Sequence, residues 1–503
     1  MTNAPESRRS LVVRDGIVLT TAGRAPQPVD LVVENGRIAG LTPRGEPVDG
    51  AETLDATGML VIPGMVNAHT HGQFTLSRGL VDRWSLEHLL NAFPWVAGGR
   101  SRTEFHEIAT LLSAAEAIRG GCTTVYDLFS EYPAPTSEGV GAVARAYAHA
   151  GIRAVVAPMM AERTLHAALP GLLDALPGDL RAQAEAIRFG AGTDSIDRCR
   201  EILAGWPEAR DRVRPALAPT IPHHCGDDFL VACRDLARDF DIGLQMHVAE
   251  SRVQAVAAPR IHGTTAVAHL HRLGLLGLNF TAAHAVWLDD DDIARLADHG
   301  ASVAHNPGSN LRLGSGVAPV RRYLDAGVNL AIGTDSAISG DSLGMSEATR
   351  LAALVSRLPE SDPERWLSAE EALLAATEGG ARALGFEGEI GAIEVGRRAD
   401  LVLLDLDQGS FVPLRDPTVQ MVYAEAGAAV RTVIVDGRVV YRDRRFTRFD
   451  YHATVETARR LAEEIDAATT NQRRLAKALA PFVETFCAGL AAEPVGMRRT
   501  LRE

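Results

Sequence analysis

The sequence predicts an α/β fold: a (β/α)8 TIM barrel, a small β-sandwich domain built from both chain ends, and a helical C-terminal tail. Eight short apolar runs alternate with helical patterns in the middle of the chain, alternating apolar and polar residues with tight turns occur at both ends, and the C-terminal stretch is rich in Ala, Arg and Glu. The predicted domains are residues 1–62 (first part of the sandwich), 63–390 (barrel), 391–450 (second part of the sandwich) and 451–503 (tail).

Both ends of the chain carry stretches in which apolar residues alternate around tight-turn dipeptides. The stretches are residues 11–20, 30–41, 399–407 and 430–443, and the dipeptides are Asp15-Gly16, Asn35-Gly36 and Asp436-Gly437. Asp-Gly and Asn-Gly supply the positive φ that a two-residue hairpin turn requires, so we expect hairpins at these positions. The two ends then form one small sheet domain, with two unrelated β segments as the alternative.

The middle of the chain contains eight continuous apolar runs of the kind that strands buried on both faces show. They lie at residues 60–69, 122–128, 153–160, 213–220, 243–250, 279–286, 302–307 and 329–336. Helical patterns separate them; residues 104–121 stop at Gly120, and residues 289–300 begin with acids that suit a helix N-terminus. Eight strand–helix units indicate a (β/α)8 barrel, with a doubly wound open sheet as the alternative. The helical tail packs either on the barrel or on a partner subunit.

Composition and charge exclude several functional classes. The 503 residues carry 64 acidic and 51 basic side chains, a formal net charge of −13, which disfavours nucleic acid and anionic membranes as partners. The sequence has no apolar stretch of about 18 residues and no apolar leader, so we expect neither a membrane span nor secretion. Five cysteines without a Cys-x-x-Cys pair favour a reduced, cytoplasmic setting.

Polar residues that can bind a metal stand at the ends of several predicted strands, the edge at which barrels of this type hold their active sites. His69 and His71 end the first run, and their imidazoles converge because residues two apart on a strand point to one face. The later runs end with further polar residues, namely His247, Glu250, His284, His305 and Asp335. Their shared position at strand ends indicates a site rather than scattered structural histidines.

Five segments make the sequence similar to a known superfamily. They are PGMVNAHTH (63–71), HVAE (247–250), AAHAVWL (282–288), VAHNPGSN (303–310) and AIGTDS (331–336). These segments resemble the amidohydrolase superfamily, above all its branch of cytosine and guanine deaminases, S-adenosylhomocysteine/methylthioadenosine deaminases and triazine hydrolases. The stretch GAIEVGRRADLVLLD (391–405) resembles the family's return to its small β domain. The resemblance covers the chain to about residue 450.

The resemblance implies a role for each matched residue. The implied metal ligands are His69, His71, His247 and Asp335. Asp335 is also implied as the base that takes a proton from the attacking water, and Glu250 as the proton shuttle to the substrate's ring nitrogen and leaving group. His284 is implied to hold and polarise the attacking hydroxide, and His305 lies near the pocket without an assigned role.

Three neutral imidazoles and one carboxylate suit a divalent transition metal, zinc or else iron(II), with one coordination position open to water. A bound ion lowers the pKa of that water from about 15.7 toward about 7, which makes hydroxide available at neutral pH. Two-metal members of the superfamily resemble one another in a carbamylated bridging lysine on the fourth strand. Here the only lysine is Lys477 in the tail, and the fourth run ends in Ala218-Pro219-Thr220. We therefore expect one metal ion per subunit, with a carboxylate bridge as the alternative.

Substrate contacts are less fixed by the resemblance, and the candidates are Gln73, Glu87, Thr220, His223 and His305. Glu87 aligns with a glutamate that resembles the ribose-binding residue of nucleoside deaminases, and a solvated helix acid is the alternative. Those enzymes also resemble one another in a Gly-Pro-His at the fourth strand end, where this chain has Thr220 followed by His223 and His224. This departure weakens a direct transfer to adenosine-like substrates. Gln73 follows the metal pair closely and is placed to reach a substrate amide edge.

The sequence thus predicts a mononuclear metal-dependent aminohydrolase that releases ammonia or an amine from an aromatic N-heterocycle, such as a purine, pyrimidine, pterin or triazine. The alternatives are a cyclic amide or imidazolone hydrolase, a triazine chlorohydrolase-like enzyme, and a non-catalytic scaffold of the same fold. The retained Asp335 favours a deaminase over a dehalogenase. We expect a small heterocyclic substrate, no nucleic-acid or membrane partner, and a homodimer or larger homo-oligomer.

Overall fold

The computed structural model describes residues 10–98, 102–190 and 192–500. Its α-helices are Leu86–Asn91, Phe93–Val96, Thr103–Arg119, Ser137–Ala150, Leu165–Ala168, Gly178–Ala186, Gly192–Ala204, Asp227–Phe240, Arg252–His262, Ala266–Arg272, Asp290–Asp298, Pro307–Arg312, Val320–Asp325, Met345–Val355, Ala369–Ala375, Glu378–Ala383, Pro417–Tyr423, Tyr451–Ala468 and Thr470–Ala491. Short 3-10 helices cover Gly72–Ser77, Pro222–His224, Pro363–Arg365 and Gly409–Phe411. No helix within the described ranges is long and apolar enough to pass through a bilayer.

Eight parallel strands form a closed barrel at the centre of the molecule. In chain order they are Met65–His71, Cys122–Ser130, Arg153–Met160, Val213–Pro219, Gly243–Val248, Phe280–His284, Ser302–His305 and Asn329–Ile332, the last continued by Asp335–Ser336. Each strand pairs with the next along the chain, and Asp335 and Ser336 pair in parallel with Thr70 and His71, which closes the sheet. The predicted (β/α)8 barrel is confirmed, and its closure rules out the open doubly wound sheet.

Two smaller sheets accompany the barrel. A four-stranded sheet uses N-terminal strands, in the order Arg37–Thr42, Asp30–Glu34, Leu11–Arg14 and Glu52–Asp55. A six-stranded sheet contains strands from both chain ends, in the order Arg445–Phe446, Arg438–Arg442, Val430–Val435, Leu401–Asp405, Met59–Pro63 and Ile17–Val18. Buried side chains of both sheets, including Leu31, Leu403 and Ile434, share one hydrophobic cluster. The sandwich from both chain ends belongs to the confirmed fold class, while the domain limits at residues 62, 390 and 450 stay predictions.

One predicted hairpin is wrong. The turn at Asp15-Gly16 joins Leu11–Arg14 of the four-stranded sheet to Ile17–Val18 of the six-stranded sheet, so the chain crosses between sheets there. Asp30 accepts a hydrogen bond from the Asp15 amide at 2.9 Å, and this contact anchors the crossing. The other two dipeptides do close two-residue hairpins with positive φ at both positions, namely Asn35-Gly36 and Asp436-Gly437.

The helices predicted from their end signals are present. The first covers Thr103–Arg119 and stops before Gly120. The second covers Asp290–Asp298, and the Asp289 carboxylate accepts a hydrogen bond from the amide of Asp292 at 2.8 Å. This hydrogen bond caps the N-terminus of the helix, where the first backbone amides have no partner within the helix. The acidic residue before the helix supplies the acceptor.

The C-terminal tail packs on the barrel of its own chain. Its first helix, Tyr451–Ala468, lies against Thr103–Arg119, and its second, Thr470–Ala491, lies against Leu86–Asn91 and Arg252–His262. Buried tail residues at this contact include Val483, Cys487 and Leu490. The second tail helix therefore covers connections that follow the first and fifth barrel strands, which places it at the active-site edge of the barrel.

A buried ion pair links the barrel to the six-stranded sheet. Arg153 on the third barrel strand is 1% exposed, and its guanidinium donates to both carboxylate oxygens of Asp400 at 3.1 and 3.2 Å. Asp400 directly precedes the strand Leu401–Asp405. We expect Arg153→Leu to lower the free energy of unfolding by about 3–5 kcal/mol, because Asp400 is left as an uncompensated buried charge. Urea unfolding followed by circular dichroism measures this loss.

The matched control is Arg181→Leu, because Arg181 also contacts two carboxylates, but at the surface. Its guanidinium lies 2.9 Å from Asp174 and 2.9 Å from Glu185. Exposed ion pairs contribute little to stability because water and salt screen them, so this variant should unfold at nearly the urea concentration of the parent. Equal losses in the two variants would contradict the structural role assigned to the pair of Arg153 and Asp400.

Candidate active site

Four buried side chains meet at the carboxyl ends of the barrel strands. His69 and His71 end the first strand, His247 lies on the fifth, and Asp335 lies on the short continuation of the eighth. None of the four is more than 7% exposed. The structure thus brings together the four residues that the sequence predicted as metal ligands.

Hydrogen bonds fix the orientation of the three imidazoles. In each ring Nδ1 donates to an oxygen of the barrel: His69 to Gln245 Oε1 (2.6 Å), His71 to the Leu128 carbonyl (2.7 Å) and His247 to the Thr220 carbonyl (2.8 Å). With the proton on Nδ1, a neutral imidazole carries its free lone pair on Nε2. All three rings therefore offer Nε2 as an electron-pair donor.

The Nε2 atoms lie so close together that they need a positive charge between them. His71 Nε2 and His247 Nε2 are 3.2 Å apart, and Asp335 Oδ1 lies 3.5 Å from His71 Nε2 and 3.8 Å from His69 Nε2. His69 Nε2 is buried and has no hydrogen-bond partner. Lone pairs this close repel unless a cation lies between them, and three imidazoles with one carboxylate are typical zinc ligands. The residues present therefore fit a divalent metal ion.

Burial favours the neutral form of the His69 and His247 imidazoles. It lowers the pKa of His69 to about 3 and the pKa of His247 well below its usual value, and neighbouring histidines lower both further. Burial alone would raise the pKa of Asp335, but its interactions with the nearby histidines, His284 first, outweigh this effect and hold that pKa below its ordinary value. Neutral imidazoles and an ionised carboxylate are the forms that bind metal ions.

Glu250 and His284 lie beside this cluster. His284 Nε2 is 3.7 Å from Glu250 Oε2 and 3.7 Å from Asp335 Oδ2, and His284 Nδ1 donates to Asn310 Oδ1 at 2.9 Å. Burial raises the pKa of Glu250 well above its ordinary value, and the charges of Asp335 and Glu87 raise it further. This raised pKa favours the protonated form of a carboxyl group that stands next to the cluster, where it is placed to donate a proton.

The backbone is strained where site residues leave their strands. His284 and Asp335 have positive φ values of 66° and 60°, and Ala249 and Ala285 have values of 46° and 51°. Left-handed conformations are uncommon for residues other than glycine and concentrate at functional sites. The strain falls on the ends of the fifth, sixth and eighth strands, which carry Glu250, His284 and Asp335.

A comparison with known protein families decides the assignment. Residues 60–440 match the Amidohydrolase family. The chain belongs to the amidohydrolase family. A 5′-deoxyadenosine deaminase of Methanothermobacter thermautotrophicus is 35% identical over 435 residues, which cover 86% of this chain and 94% of that protein. A 5-methylthioadenosine/S-adenosylhomocysteine deaminase of Symbiobacterium thermophilum is 36% identical over 440 residues, which again cover 86% of this chain and 94% of the relative.

Solved structures of amidohydrolases agree with this assignment. An adenosine deaminase from Xanthomonas campestris with bound zinc superposes with a TM-score of 0.81 at 30% identity, covering 92% of this chain and 100% of that chain. An atrazine chlorohydrolase from Arthrobacter aurescens TC1 complexed with zinc gives 0.79 at 27% identity, covering 90% and 100%. This amidohydrolase is an enzyme of the class that hydrolyses carbon–nitrogen bonds, as predicted. The zinc in both structures and the four-residue site support a divalent metal.

The catalytic chamber is apolar apart from the proposed metal ligands and the few other polar side chains that line it. Its apolar lining consists of Phe74, Leu86, Leu89, Leu90, Phe93, Met159, Ile221 and Leu313. The helix Leu86–Asn91, which the C-terminal tail covers, supplies three of these side chains. Apolar walls with a few convergent polar groups suit a flat aromatic ring that carries a polar substituent.

Of the five predicted substrate contacts, all of which the structure describes, Thr220 lines the chamber and the other four do not. Gln73 and His305 are 1% exposed, and their side-chain polar atoms have no hydrogen-bond partner. The Glu87 carboxylate accepts hydrogen bonds from Ser251 (2.7 Å) and Ser85 (2.8 Å).

Glu87 and His223 hydrogen-bond to neighbouring groups and do not line the chamber. Glu87 is 6% exposed, so it is also not the solvated helix acid that was the alternative. His223 Nε2 donates to the Gln254 carbonyl at 2.9 Å, which ties its ring to the helix Arg252–His262. The substrate roles of these residues stay predictions that the geometry does not favour.

Sequence reasoning missed two supporting residues. Gln245, which orients His69, stands two positions before His247 on the fifth strand, and that spacing places both side chains on one face. Asn310, which orients His284, ends the segment 303–310. The sequence signal for Gln245 was an amide side chain two residues before a proposed ligand on the same strand. The contact between Asn310 and His284 is visible only in the folded structure.

Proposed function

We propose that this amidohydrolase is a mononuclear zinc aminohydrolase that converts an amino-substituted purine nucleoside and water into the oxo product and ammonia. The observation that carries the proposal is the convergence of imidazole nitrogens and a carboxylate beside a buried glutamate, Glu250, whose pKa burial raises. Relatives named as deaminases of 5′-deoxyadenosine and of methylthioadenosine/S-adenosylhomocysteine support the substrate class. Zinc in two similar structures supports the choice of metal.

The proposed ligands of the ion are His69, His71, His247 and Asp335. When bound, the ion supplies Lewis-acid activation of water at neutral pH. The Asp335 carboxylate is placed to accept the proton that this water loses as its oxygen bonds to the ring carbon. His284, whose Nδ1 is committed to Asn310, offers the bare Nε2 as an acceptor that orients the water.

Glu250 is the proposed proton donor. Its carboxyl group protonates the ring nitrogen as water adds, which makes the ring carbon tetrahedral and weakens its bond to the amino group. The Glu250 carboxylate then takes the proton of the added hydroxyl and passes it to the amino group, which leaves as ammonia as the carbon–nitrogen bond breaks and the carbonyl forms. The proton on Asp335 returns to Glu250. The two protons of the water end on the ammonia and on Glu250, so the enzyme returns to its starting form and one water is consumed.

An ammonia-release screen over purine nucleosides, pyrimidines, pterins and triazines tests this function. We expect adenosine and 5′-deoxyadenosine to release one ammonia for each purine converted, because hydrolysis of an exocyclic amine yields these products in equal amounts. Uptake of water with ring opening and without ammonia would instead assign a cyclic amide hydrolase. A purified protein without stoichiometric metal and without turnover would favour a scaffold.

Removal of the metal tests the proposed single ion. Lys477 is exposed on the last helix, so a lysine bridge between two ions has no side chain to form it. We expect dialysis against a chelator to abolish activity and about one equivalent of Zn²⁺ per chain to restore it. Elemental analysis measures the stoichiometry, and a requirement for two equivalents would contradict the mononuclear site.

Compartment and assembly are further proposals. All five cysteines are free and buried, which supports a reduced, cytoplasmic setting. The exposed apolar side chains Val412, Leu414 and Val419 lie within one short segment and support a homo-oligomer. Light scattering coupled to gel filtration measures the number of subunits, and a monomer mass would overturn the oligomer.

A further inference from the structure

A side pocket adjoins the catalytic chamber. Leu90, Phe93, Met159 and Thr220 line both spaces, so the two share this wall. The side-pocket walls come from parts of residues 90–94, 130–135, 159–166 and 187–189, together with Ser195, Thr220 and His224. A substituent on a ring that lies in the chamber would reach the side pocket by passing this shared wall at Thr220.

The walls of the side pocket are mostly apolar. Among the described residues that line it there is no lysine or arginine, and the carboxylate on its wall is that of Glu131. A substituent that ends in a carboxylate would lose its hydration there without contacting a lysine or arginine of the described lining. The pocket therefore favours an uncharged substituent.

His166 is a buried polar residue in this wall, and one of its ring nitrogens has no hydrogen-bond partner. It is 2% exposed, and its Nδ1 has no hydrogen-bond partner. Its Nε2 lies 3.0 Å from Asn91 Oδ1, and Asn91 Nδ2 donates at 2.9 Å to the carbonyl of Ala476 in the last helix. Because a carbonyl only accepts, the Asn91 amide must turn its nitrogen to Ala476 and its oxygen to His166.

The tautomer of His166 follows from this chain of bonds. The Asn91 oxygen only accepts, so His166 Nε2 carries the proton and Nδ1 keeps a bare lone pair. Burial lowers the pKa of His166 to about 4, which agrees with a neutral ring at neutral pH. The C-terminal helix thus holds a buried acceptor ready for a donor that the substrate brings.

We propose that the side pocket binds the substituent of the heterocycle and that His166 Nδ1 accepts a hydrogen bond from a hydroxyl group on it. This inference rests on the proposed aminohydrolase function and specifies its substrate class: an uncharged nucleoside, preferred over one whose substituent ends in a carboxylate. Sugar hydroxyls supply the donor, and the apolar walls cover the rest of the sugar. Glu87, the ribose candidate from the sequence, already has both carboxylate oxygens bonded to serines.

Initial rates of the intact, zinc-loaded enzyme on four adenine compounds test the pocket. Adenosine and 9-cyclopentyladenine share the purine and a five-membered ring, but the second lacks hydroxyls; we expect kcat/KM to be at least about tenfold higher for adenosine. Methylthioadenosine and S-adenosylhomocysteine share a thioether, but the second ends in an amino acid; we expect the first to be preferred by at least about tenfold. Equal values within both pairs would overturn the inference.

Two variants assign the effect to His166. His166→Leu removes the acceptor, and we expect kcat/KM for adenosine to fall about tenfold, mainly through KM, with 9-cyclopentyladenine changed by less than about twofold. His166→Asn keeps an amide oxygen near the position of Nδ1 and should retain most of the preference for hydroxyls. Metal content and melting temperature equal to those of the parent show that each variant is folded.

The outcomes separate this inference from the proposed function. Equal losses on adenosine and 9-cyclopentyladenine in His166→Leu would show a structural role and overturn the inference, with ammonia release by the parent still supporting the aminohydrolase. Absence of ammonia from every adenine compound with the zinc-loaded parent would overturn the proposed function and this inference with it. The comparison of compounds on the parent holds whether or not the variants fold.

Discussion

Replacing His247 or Asp335 by alanine is expected to abolish turnover and metal binding together. Each variant removes one donor from the set: His71 Nε2 lies 3.2 Å from His247 Nε2, and Asp335 Oδ1 lies 3.5 Å from His71 Nε2 and 3.8 Å from His69 Nε2. Loss of a residue that merely orients a ligand costs about 10–100-fold in metal affinity or activity, so loss of a ligand should exceed about 100-fold in both. Elemental analysis and ammonia release on the same preparations measure the two quantities.

His269→Ala is the matched control for these variants. His269 is also a buried histidine, 1% exposed, but its Nε2 lies 3.1 Å from Asp227 and it does not line the chamber. We expect this variant to keep the metal and the kcat of the parent. Parent-like metal content in His247→Ala, or losses in His269→Ala as large as those in His247→Ala, would contradict the ligand assignment.

Much of the fold and the centre of the site follow from local patterns. Strands buried on both faces leave continuous apolar runs, so all eight barrel strands are found in the sequence, although the first run, 60–69, begins within the strand Met59–Pro63 of the six-stranded sheet. Once the barrel is inferred, the strand ends adjoin, and His69, His71, His247 and Asp335 are expected to meet because each stands at such an end. The site is predictable because its residues are tied to the strands, which the sequence marks most clearly.

Features that depend on distant segments are not predictable in this way. Asp15 has the positive φ of a turn residue, as a hairpin requires. Gly16, however, packs so closely on Val61 of the six-stranded sheet that a Cβ there would lie 2.9 Å from the Val61 side chain. Asn91 sets the tautomer of His166 through a carbonyl 385 positions away in the sequence. No local pattern records such a contact, so these residues take their chemical roles only in the folded chain.

Glu250→Gln is expected to keep the metal and to lose at least about 100-fold in kcat. Glutamine has nearly the size of the glutamic acid side chain, and the hydrogen bond from the Glu250 amide to Gln254 Oε1 (2.8 Å) does not involve the replaced group. The side-chain amide of the glutamine is unable to give up a proton, so the ring nitrogen and the departing amine lose their proton donor. Because the proposed ligands are untouched, elemental analysis should find the metal content of the parent while ammonia release falls.

Glu425→Gln separates this effect from the loss of any buried carboxyl group. Glu425 is 6% exposed and accepts hydrogen bonds from Ser410 (2.6 Å) and the Ala429 amide (2.9 Å), away from the chamber lining. We expect it to keep the kcat of the parent. Full activity in Glu250→Gln would remove Glu250 from the mechanism, and a parallel loss of metal would make it a ligand. A fall in kcat with metal retained is the result that only a proton donor at this position explains.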